Sequence, residues 1–241
     1  MQTVITPENL RSFAYCNDAV CARPYRGVAL DFIGLGGQAM HAEEVPLGRR
    51  LAEKGILYVI PYLNPWNWMS RFAARETDEI LDALFARCGV PGGLPVASTG
   101  GSMGGLAALA YMHHARHTPV ACIVNCPVCD LPYHYTERPD LPRTLYSAFG
   151  DAPAETLQKA MEDSSPLHLV SVLPKAQYVV FHCEADRMVS KRRHSDRFVA
   201  ALRAYQPVEY HAVPDRDHCD LTPEARAQYE LAIERAFPGA L

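Results

Sequence analysis

The chain has 241 residues, of which 49% are hydrophobic, and this is enough to bury a sizeable core. Its 23 Lys and Arg and 27 Asp and Glu give a net charge of −4 without a basic stripe or polybasic run, which argues against nucleic acid and membrane partners. The first residues lack the pattern of a secretory signal, and no apolar run reaches the roughly 18 residues of a membrane span. We therefore expect a soluble, cytoplasmic protein.

The eight cysteines are too sparse for a disulfide scaffold. Several of them, such as Cys122, Cys126 and Cys183, fall in or at the ends of apolar runs. We predict that they are reduced, buried thiols.

Short apolar runs of strand length alternate along the chain with segments that have the apolar spacing of helices. The predicted strands are Val28–Ile33, Ile56–Ile60, 95–101, Val120–Val124, 176–183 and Val208–Val213, and 11–16 fits an edge strand. The first predicted helix carries Val45, Leu51 and Ala52 and stops at Gly55. Four further helices are predicted at 70–88, 103–116, 154–162 and 190–204. A short helix that begins at Ser165-Pro166 precedes the last of these four, and a final helix begins at Thr222-Pro223. This alternation predicts one α/β domain over 1–241, with a mostly parallel sheet and helices on both faces.

Residues 127–165 interrupt the alternation with a segment rich in proline and aromatic residues. Only one helix, at 154–162, is predicted within it. We interpret the segment as a short cap or lid insert over a site at the edge of the sheet.

A glycine-rich turn follows the third of these strands, counted from Val28. Gly100-Gly-Ser-Met-Gly104 fits the G-x-S-x-G nucleophile elbow, in which a sharp strand-to-helix turn requires small residues beside the serine. The alternative is a turn that binds phosphate at a helix N-terminus, but the chain has neither a P-loop nor a dinucleotide-binding spacing. Ser102 is therefore the candidate nucleophile.

Two further polar residues follow strands that end at the same edge of the predicted sheet. Asp186 comes after the strand at 176–183, and His218 comes after Val208–Val213. The chain order Ser, Asp, His is the order expected for this elbow on this kind of sheet. His218 would act as general base, and Asp186 would orient its ring and stabilise the imidazolium.

Other residues compete for two of these roles. Asp130 follows the strand Val120–Val124 and is the rival acid, and His218 could be an ordinary loop histidine. His211 and His182 lie in or at the end of apolar runs, so we interpret both as buried core residues.

An oxyanion formed at Ser102 would need two preorganised N–H donors. The backbone N–H of Met103 lies at the start of a helix, where the helix dipole favours negative charge. The loop Gly34–Gly37 follows a neighbouring strand, and we assign the second donor to Leu35.

A second loop, which leaves the strand Ile56–Ile60, carries the two tryptophans of the chain. Tyr62, Trp66 and Trp68 are either a wall of the substrate site or ordinary packing. We take them as candidate substrate-binding residues.

Four stretches of the chain together resemble the α/β-hydrolase superfamily. They are Gly100–Gly105, Ile33–Gly37, Glu184–Val189 and Pro214–His218. The resemblance spans roughly 28–237 and is closest to the prolyl oligopeptidase catalytic domain and to dienelactone-hydrolase-like esterases. It implies an α/β-hydrolase fold and a serine hydrolase without cofactor or metal, with Ser102, Asp186 and His218 as the catalytic triad.

The chain departs from the pattern of these families in two respects. Ile33 stands where many members have a histidine before the oxyanion glycine, and the chain is too short to include the accessory propeller of oligopeptidases. We therefore expect an esterase acting on a small-molecule ester. The alternatives are a small peptidase or acyltransferase of the same fold and a non-catalytic binding protein on this scaffold.

Two spacings in the sequence resemble metal sites. Cys122, Cys126 and Cys129 have a spacing found in iron–sulfur proteins, but the first of them lies in a predicted buried strand. His113 and His117 are four residues apart like a zinc pair, but the glutamate expected after the first histidine is replaced by His114. We predict no metal at either place.

Overall fold

Seven strands form one sheet in the computed structural model, which describes residues 4–150 and 154–238. They are β1 (Ala14–Cys16), β2 (Gly27–Phe32), β3 (Ile56–Pro61), β4 (Val96–Gly101), β5 (Ala121–Asn125), β6 (Gln177–Cys183) and β7 (Glu209–Val213). Their order across the sheet is β1-β3-β2-β4-β5-β6-β7, and every neighbouring pair is parallel except β1 and β3. The predicted strands are thus all present, and the segment 11–16 contributes the antiparallel edge strand.

The helices connect these strands. They are a 3₁₀ helix at Leu10–Ser12 and the α-helices α1 (Pro46–Glu53), α2 (Arg71–Cys88), α3 (Met103–His114), α4 (Leu131–His134), α5 (Leu141–Phe149), α6 (Ala154–Asp163), α7 (Pro166–Leu169), α8 (Ser195–Leu202) and α9 (Pro223–Arg235). In the part of the chain that the structure describes, no helix has both the length and the apolar character needed to cross a membrane.

Alternate residues of the strands enter two separate hydrophobic cores, one on each face of the sheet. On β2, Leu30 packs in the core that includes α2, α3 and α8, whereas the adjacent Ala29 packs in the core formed with α1 and α9. Burial of both faces explains why the strands are continuous apolar runs rather than alternating ones. The predicted sheet with helices on both faces is confirmed.

The insert at 127–165 contains more helix than predicted. Besides α6, the structure has α4 and α5, each of which begins with a proline at one of its first two positions. Asp130 caps α4, because its side chain accepts a hydrogen bond from the Tyr133 amide at 3.2 Å. These prolines start helices rather than break them, since the first helical N–H groups need no intrahelical partner.

Helix α8 also differs from its prediction, because it begins at Ser195 rather than near residue 190. Residues 191–194 form a turn. This turn ends at His194, whose ring is fully buried and hydrogen-bonded inside the protein.

The turn from β4 into α3 is held by very close backbone packing. A Cβ atom placed on Gly104 would lie 1.9 Å from the carbonyl oxygen of Phe32 at the end of β2. A Cβ on Gly100 would lie 2.5 Å from the backbone of Gly104. Between these glycines, Ser102 adopts φ 59° and ψ −124°, a backbone conformation that is strained for a residue with a side chain.

We predict that Gly104→Ala lowers the free energy of unfolding by about 3 kcal/mol or more, because the new methyl group collides with backbone that cannot move aside. Gly92→Ala is the matched control, since its Cβ would meet nothing within 4 Å. Urea denaturation of the two variants and the wild type measures the difference. Equal stability of the two variants would contradict this account of the turn.

Candidate functional site

A cavity of about 580 Å³ opens at the carboxyl edge of the sheet. Ser102 on the elbow and His218 on the loop between β7 and α9 both line it. The loop after β2 forms another wall through Gly34 and Leu35. The ends of several parallel strands thus contribute to one site, as expected for an open α/β sheet.

The backbone around Ser102 is fixed on both sides. Its amide donates to the Asn125 carbonyl at 3.0 Å, and its carbonyl accepts from the amides of Leu106 and Val128 at 3.1 and 3.2 Å. Within residues 4–150 and 154–238, the Ser102 hydroxyl makes no hydrogen bond, so it is free in the cavity. Hydrogen bonds between nucleophile and base commonly tighten only when substrate binds.

Asp186 and His218 are joined directly. The Oδ2 atom of Asp186 accepts a hydrogen bond from Nδ1 of His218 at 2.7 Å, and the Asp186 side chain is fully buried. Its other oxygen, Oδ1, accepts from the amides of Met188 and Val189, both at 2.8 Å. Since Nδ1 is occupied by Asp186, Nε2 of His218 is the nitrogen available to another group.

The two groups shift each other's pKa in opposite directions. Burial opposes ionisation of Asp186, but hydrogen bonds from His182 and His218 outweigh it and hold the pKa of this carboxyl well below its usual range. Burial disfavours the charged form of His218, but the hydrogen bond and the negative charge of Asp186 outweigh that effect and raise its pKa. The pair therefore consists of a permanent carboxylate and a more basic imidazole.

His182 supports the same carboxylate from inside the protein. Its Nε2 lies 3.3 Å from Oδ2 of Asp186 and 3.1 Å from the carbonyl oxygen of Val189. Both atoms can only accept, so Nε2 carries a proton. Nδ1 lies 2.6 Å from Oγ of Ser195, and the ring is fully buried. The buried location of His182 was predicted, but its contact with Asp186 was not. The sequence feature that could have indicated this contact is a polar ring at the end of β6, four residues before Asp186.

The two predicted oxyanion donors differ in position, because Leu35 lines the cavity whereas Met103 follows Ser102 at the start of α3. Met103 is the first residue of α3, so its N–H has no partner within the helix. Leu35 lines the cavity, and in the described parts of the chain its N–H donates to no acceptor. The loop of Leu35 is held by hydrogen bonds from Gly37 to Gly34 and from Gly36 to Pro65, at 3.0 and 2.9 Å.

The three aromatic residues of the loop after β3 do not all line the cavity. Trp68 lines the cavity, and its indole N–H donates to Oγ1 of Thr144 at 3.0 Å. Tyr62 instead lines a separate, smaller pocket, and its hydroxyl accepts from the His41 amide at 2.9 Å. Trp66 packs against Arg143 and does not line the cavity. Of the three candidate substrate-binding residues, the structure thus places only Trp68, which has φ 41°, on the wall of this cavity.

The insert contributes two cavity residues that the sequence did not indicate. His134 and Arg138 both line the wall, and Arg138 is paired with Asp140 through two hydrogen bonds. The ring of His134 packs edge-on against Trp68, with centroids 5.6 Å apart. Two residues of the insert predicted as a cap thus line the cavity.

His134 also forms a group with His194 and Glu137, and two histidines and a carboxylate are residue types that can bind a metal ion. Oε2 of Glu137 lies 2.5 Å from Nδ1 of His134 and 2.9 Å from Nε2 of His194. Nδ1 of His194, however, accepts hydrogen bonds from the amides of Cys129 and Asp130, so its proton is on Nε2. A metal ion at Nε2 would have to displace that proton, so these residues fit a hydrogen-bonded cluster and not a metal site.

The charge of Glu137 in this cluster is stabilised by its partners. Burial alone would raise the pKa of Glu137, but hydrogen bonds from His134 and His194 outweigh it and lower the pKa to about 2. Burial lowers the pKa of His134. A neutral histidine is thus retained beside the cavity.

The rival acid Asp130 and the residues of the two metal-like spacings do not take part in the pair formed by Asp186 and His218. Asp130 pairs with Arg197 at 2.6 Å and does not contact His218. Among the described residues, the thiols of Cys122, Cys126 and Cys129 do not converge on a single point, and His113 and His117 do not form a ligand set. His117 instead bonds Asp82 at 2.8 Å.

Comparison with known proteins identifies the type of scaffold. Residues 94–239 match the sequence profile of the prolyl oligopeptidase family. A search of the curated proteins found no match. Among solved structures, a puromycin hydrolase superposes with a TM-score of 0.71 at 16% identity, covering 90% of this chain and 34% of that chain.

Two other solved structures show the same scaffold. Dipeptidyl peptidase 4 of Porphyromonas gingivalis has a TM-score of 0.64 at 20% identity, covering 88% of this chain and 30% of that one. A thermophilic esterase of Thermogutta terrifontis, in a propionate-bound form, has a TM-score of 0.66 at 17% identity, covering 92% and 87%. The chain spans about a third of the puromycin hydrolase and of the dipeptidyl peptidase, and most of the esterase. These similarities establish the α/β-hydrolase fold, as predicted.

We predict that Asp186→Asn lowers the pKa of His218, because the substitution removes the negative charge that favours the imidazolium. NMR titration of the His218 ring measures the change. Asp217→Asn is the control, since Asp217 bonds the His218 amide and Arg187 rather than the ring. An equal shift in both variants would show that general surface charge, not the buried pair, sets this pKa.

We also predict that His182→Leu raises the pKa of His218. Loss of the second donor to Oδ2 leaves Asp186 a stronger hydrogen-bond acceptor for His218. The same titration measures this shift, and its direction is opposite to that of Asp186→Asn. A fall in the His218 pKa would mean that His182 only fills space and that its removal lets the loop relax.

Proposed function

The chain belongs to the prolyl oligopeptidase family of serine hydrolases, and we propose that it cleaves carboxylic esters of small molecules through an acyl-enzyme on Ser102. The observation that carries the proposal is the hydrogen bond from His218, which lines the cavity together with the free Ser102 hydroxyl, to the buried Asp186 carboxylate. A serine hydroxyl needs such a base, because it is a weak nucleophile at neutral pH.

In the proposed reaction, Nε2 of His218 removes the Ser102 proton as Oγ attacks the ester carbonyl carbon. The imidazolium that forms is stabilised by the Asp186 carboxylate, which stays ionised because of its lowered pKa. The same proton then goes to the leaving alcohol. A water molecule, activated by His218 in the same way, releases the acid from Ser102.

The tetrahedral intermediates place negative charge on the former carbonyl oxygen. The backbone N–H groups of Met103 and Leu35 are the proposed donors to it. Both belong to backbone that is already held in place, so little reorganisation is needed when the charge develops. Ile33 does not hinder this role, since the donor is a backbone group of the following loop.

The walls of the cavity favour an ester over an aminoacyl substrate. Recognition of a substrate ammonium group would require a free carboxylate, but Asp31, the acidic residue in the cavity lining, and Glu137, which bonds the lining residue His134, are both engaged. Asp31 accepts hydrogen bonds from Tyr58 and from Thr99, and burial raises its pKa. Glu137 is held between its two histidines. Apolar walls from Phe32, Trp68 and Val189 suit an acyl chain instead.

A fluorophosphonate probe tests the nucleophile. We expect the wild type to be labelled and Ser102→Ala not to be, with ester hydrolysis reduced about 10⁴-fold or more. Ser98→Ala is the matched control, because Ser98 lies on the strand that leads into Ser102 but bonds the Ala108 carbonyl in the core. A folded wild type that does not react would favour a non-catalytic binding protein.

The substrate class is tested with p-nitrophenyl esters of graded acyl length and with aminoacyl p-nitroanilides. We expect kcat/KM to be higher for the esters and to rise with pH through the ionisation of His218, above the ordinary value of about 6.5. The activity is lost below this range because the protonated ring cannot act as a base. A preference for the anilides would assign a peptidase, and acyl transfer to added alcohols in preference to water would assign an acyltransferase.

A further inference from the structure

A second reactive side chain lies directly beside the proposed base. Cys219 follows His218, lines the same cavity and is only half-buried. Its Sγ lies 3.8 Å from Nε2 of His218, the nitrogen that faces the cavity. A Cβ atom on Gly101 would lie 3.1 Å from this sulfur, so the thiol sits against the elbow itself.

A second thiol lies beneath the first. Cys126, just after β5, is fully buried, and its Sγ accepts hydrogen bonds from the amides of Cys219 and Cys183 at 3.4 and 3.3 Å. The two sulfur atoms and a ring nitrogen of His218 all lie within 4.8 Å of one another. The chain therefore brings two thiols and an imidazole together at one point of the site.

The backbone of both cysteines is unusual. Cys219 has φ 58° and Cys126 has φ 46°, values that a residue with a side chain rarely adopts. Such strain persists only where the surroundings hold it. Here it directs both sulfur atoms into the space between β5, the elbow and the His218 loop.

The two thiols have different surroundings, and this difference determines which of them an oxidant attacks first. The sulfur of Cys219 is within reach of an oxidant in the cavity and lies 3.8 Å from Nε2 of His218, a base that can accept its proton as the sulfur reacts. The hydrogen bond with Cys219 and burial both raise the pKa of Cys126, so this group stays a thiol. Cys219 is therefore the sulfur that reacts first, and Cys126 is positioned to react with it afterwards.

We propose that Cys219 is an oxidisable thiol of the site, that Cys126 is its resolving partner, and that peroxide thereby inactivates the protein reversibly. The Cys219 thiolate attacks one oxygen of hydrogen peroxide; an S–O bond forms, the O–O bond breaks, and hydroxide leaves and takes up the Cys219 proton as water. Sulfur loses two electrons and peroxide gains two. As Cys126 then attacks the sulfenic sulfur, His218, whose ring nitrogen lies within 4.8 Å of the Cys126 sulfur, takes up its proton; an S–S bond forms, the S–O bond breaks, and the oxygen leaves as water with that proton.

Oxidation would disable the proposed base. The new S–S bond draws the His218–Cys219 segment toward Cys126 and so shifts Nε2 of His218 from its position in the reduced protein. A thiol reductant restores both thiols and the original position. The loss of activity rests on the hydrolase function proposed above, whereas the formation of the disulfide does not.

The test treats the folded wild type with hydrogen peroxide and follows two quantities. Peptide mass mapping detects the Cys126–Cys219 disulfide, and hydrolysis of an accepted p-nitrophenyl ester follows activity. We expect loss of activity, recovery with dithiothreitol, and inactivation at least about tenfold slower in Cys219→Ser. Cys219→Gly is a second variant that lacks the thiol, and it should keep the local backbone intact because glycine readily adopts φ 58°.

Two more variants separate the roles of the sulfurs. Cys126→Ser should retain a sulfenic acid on Cys219 that dimedone labels, whereas Cys122→Ser, a buried strand thiol, should respond like the wild type. Oxidised wild type without the Cys126–Cys219 disulfide, or Cys219→Ser inactivated as fast as wild type, would overturn the proposal. If no substrate is turned over, the hydrolase function fails and the mass map alone decides the thiol chemistry.

Discussion

The close packing of the β4–α3 turn against the end of β2 is the constraint on which the site depends. Gly104 approaches the Phe32 carbonyl so closely that no side chain fits between them. Phe32 is followed by the loop that carries Leu35. The same contact therefore brings this loop beside the strained Ser102, so the candidate nucleophile and one candidate oxyanion donor, Leu35, line the same cavity.

The buried charge of Asp186 imposes a second constraint. A carboxylate with no exposed surface must have its oxygens hydrogen-bonded, and four donors satisfy it: two amides of its own loop, His182 and His218. Satisfying this charge orders the loop after β6 and sets the orientation of the His218 ring. The exposed pair of Arg187 and Asp217 joins the same two loops, but screening by water makes its contribution small.

The insert at 127–165 completes the cavity by packing rather than by chemistry. Trp68 is held by Thr144 of α5 and by the ring of His134, while His134 in turn is held by Glu137. One wall of the site is thus supported by hydrogen bonds that cross between the loop after β3 and the insert. Because these partners are remote in sequence, nothing in the local pattern of either segment indicated the contact.

The sequence by itself determined the fold class, the strands and the Ser102 elbow, because each is recorded in local features: apolar runs, helical spacing and glycines that a tight turn requires. It also placed Asp186 and His218 after strands whose ends share one edge of a parallel sheet. Only the tertiary structure decided which side chains meet there. It assigned His182 to Asp186, turned Trp68 inward and left Tyr62 and Trp66 outside, and placed Cys219 over Cys126. The physical reason is that these contacts depend on strand order and on single backbone torsions in loops, neither of which has a period or composition that a sequence reveals.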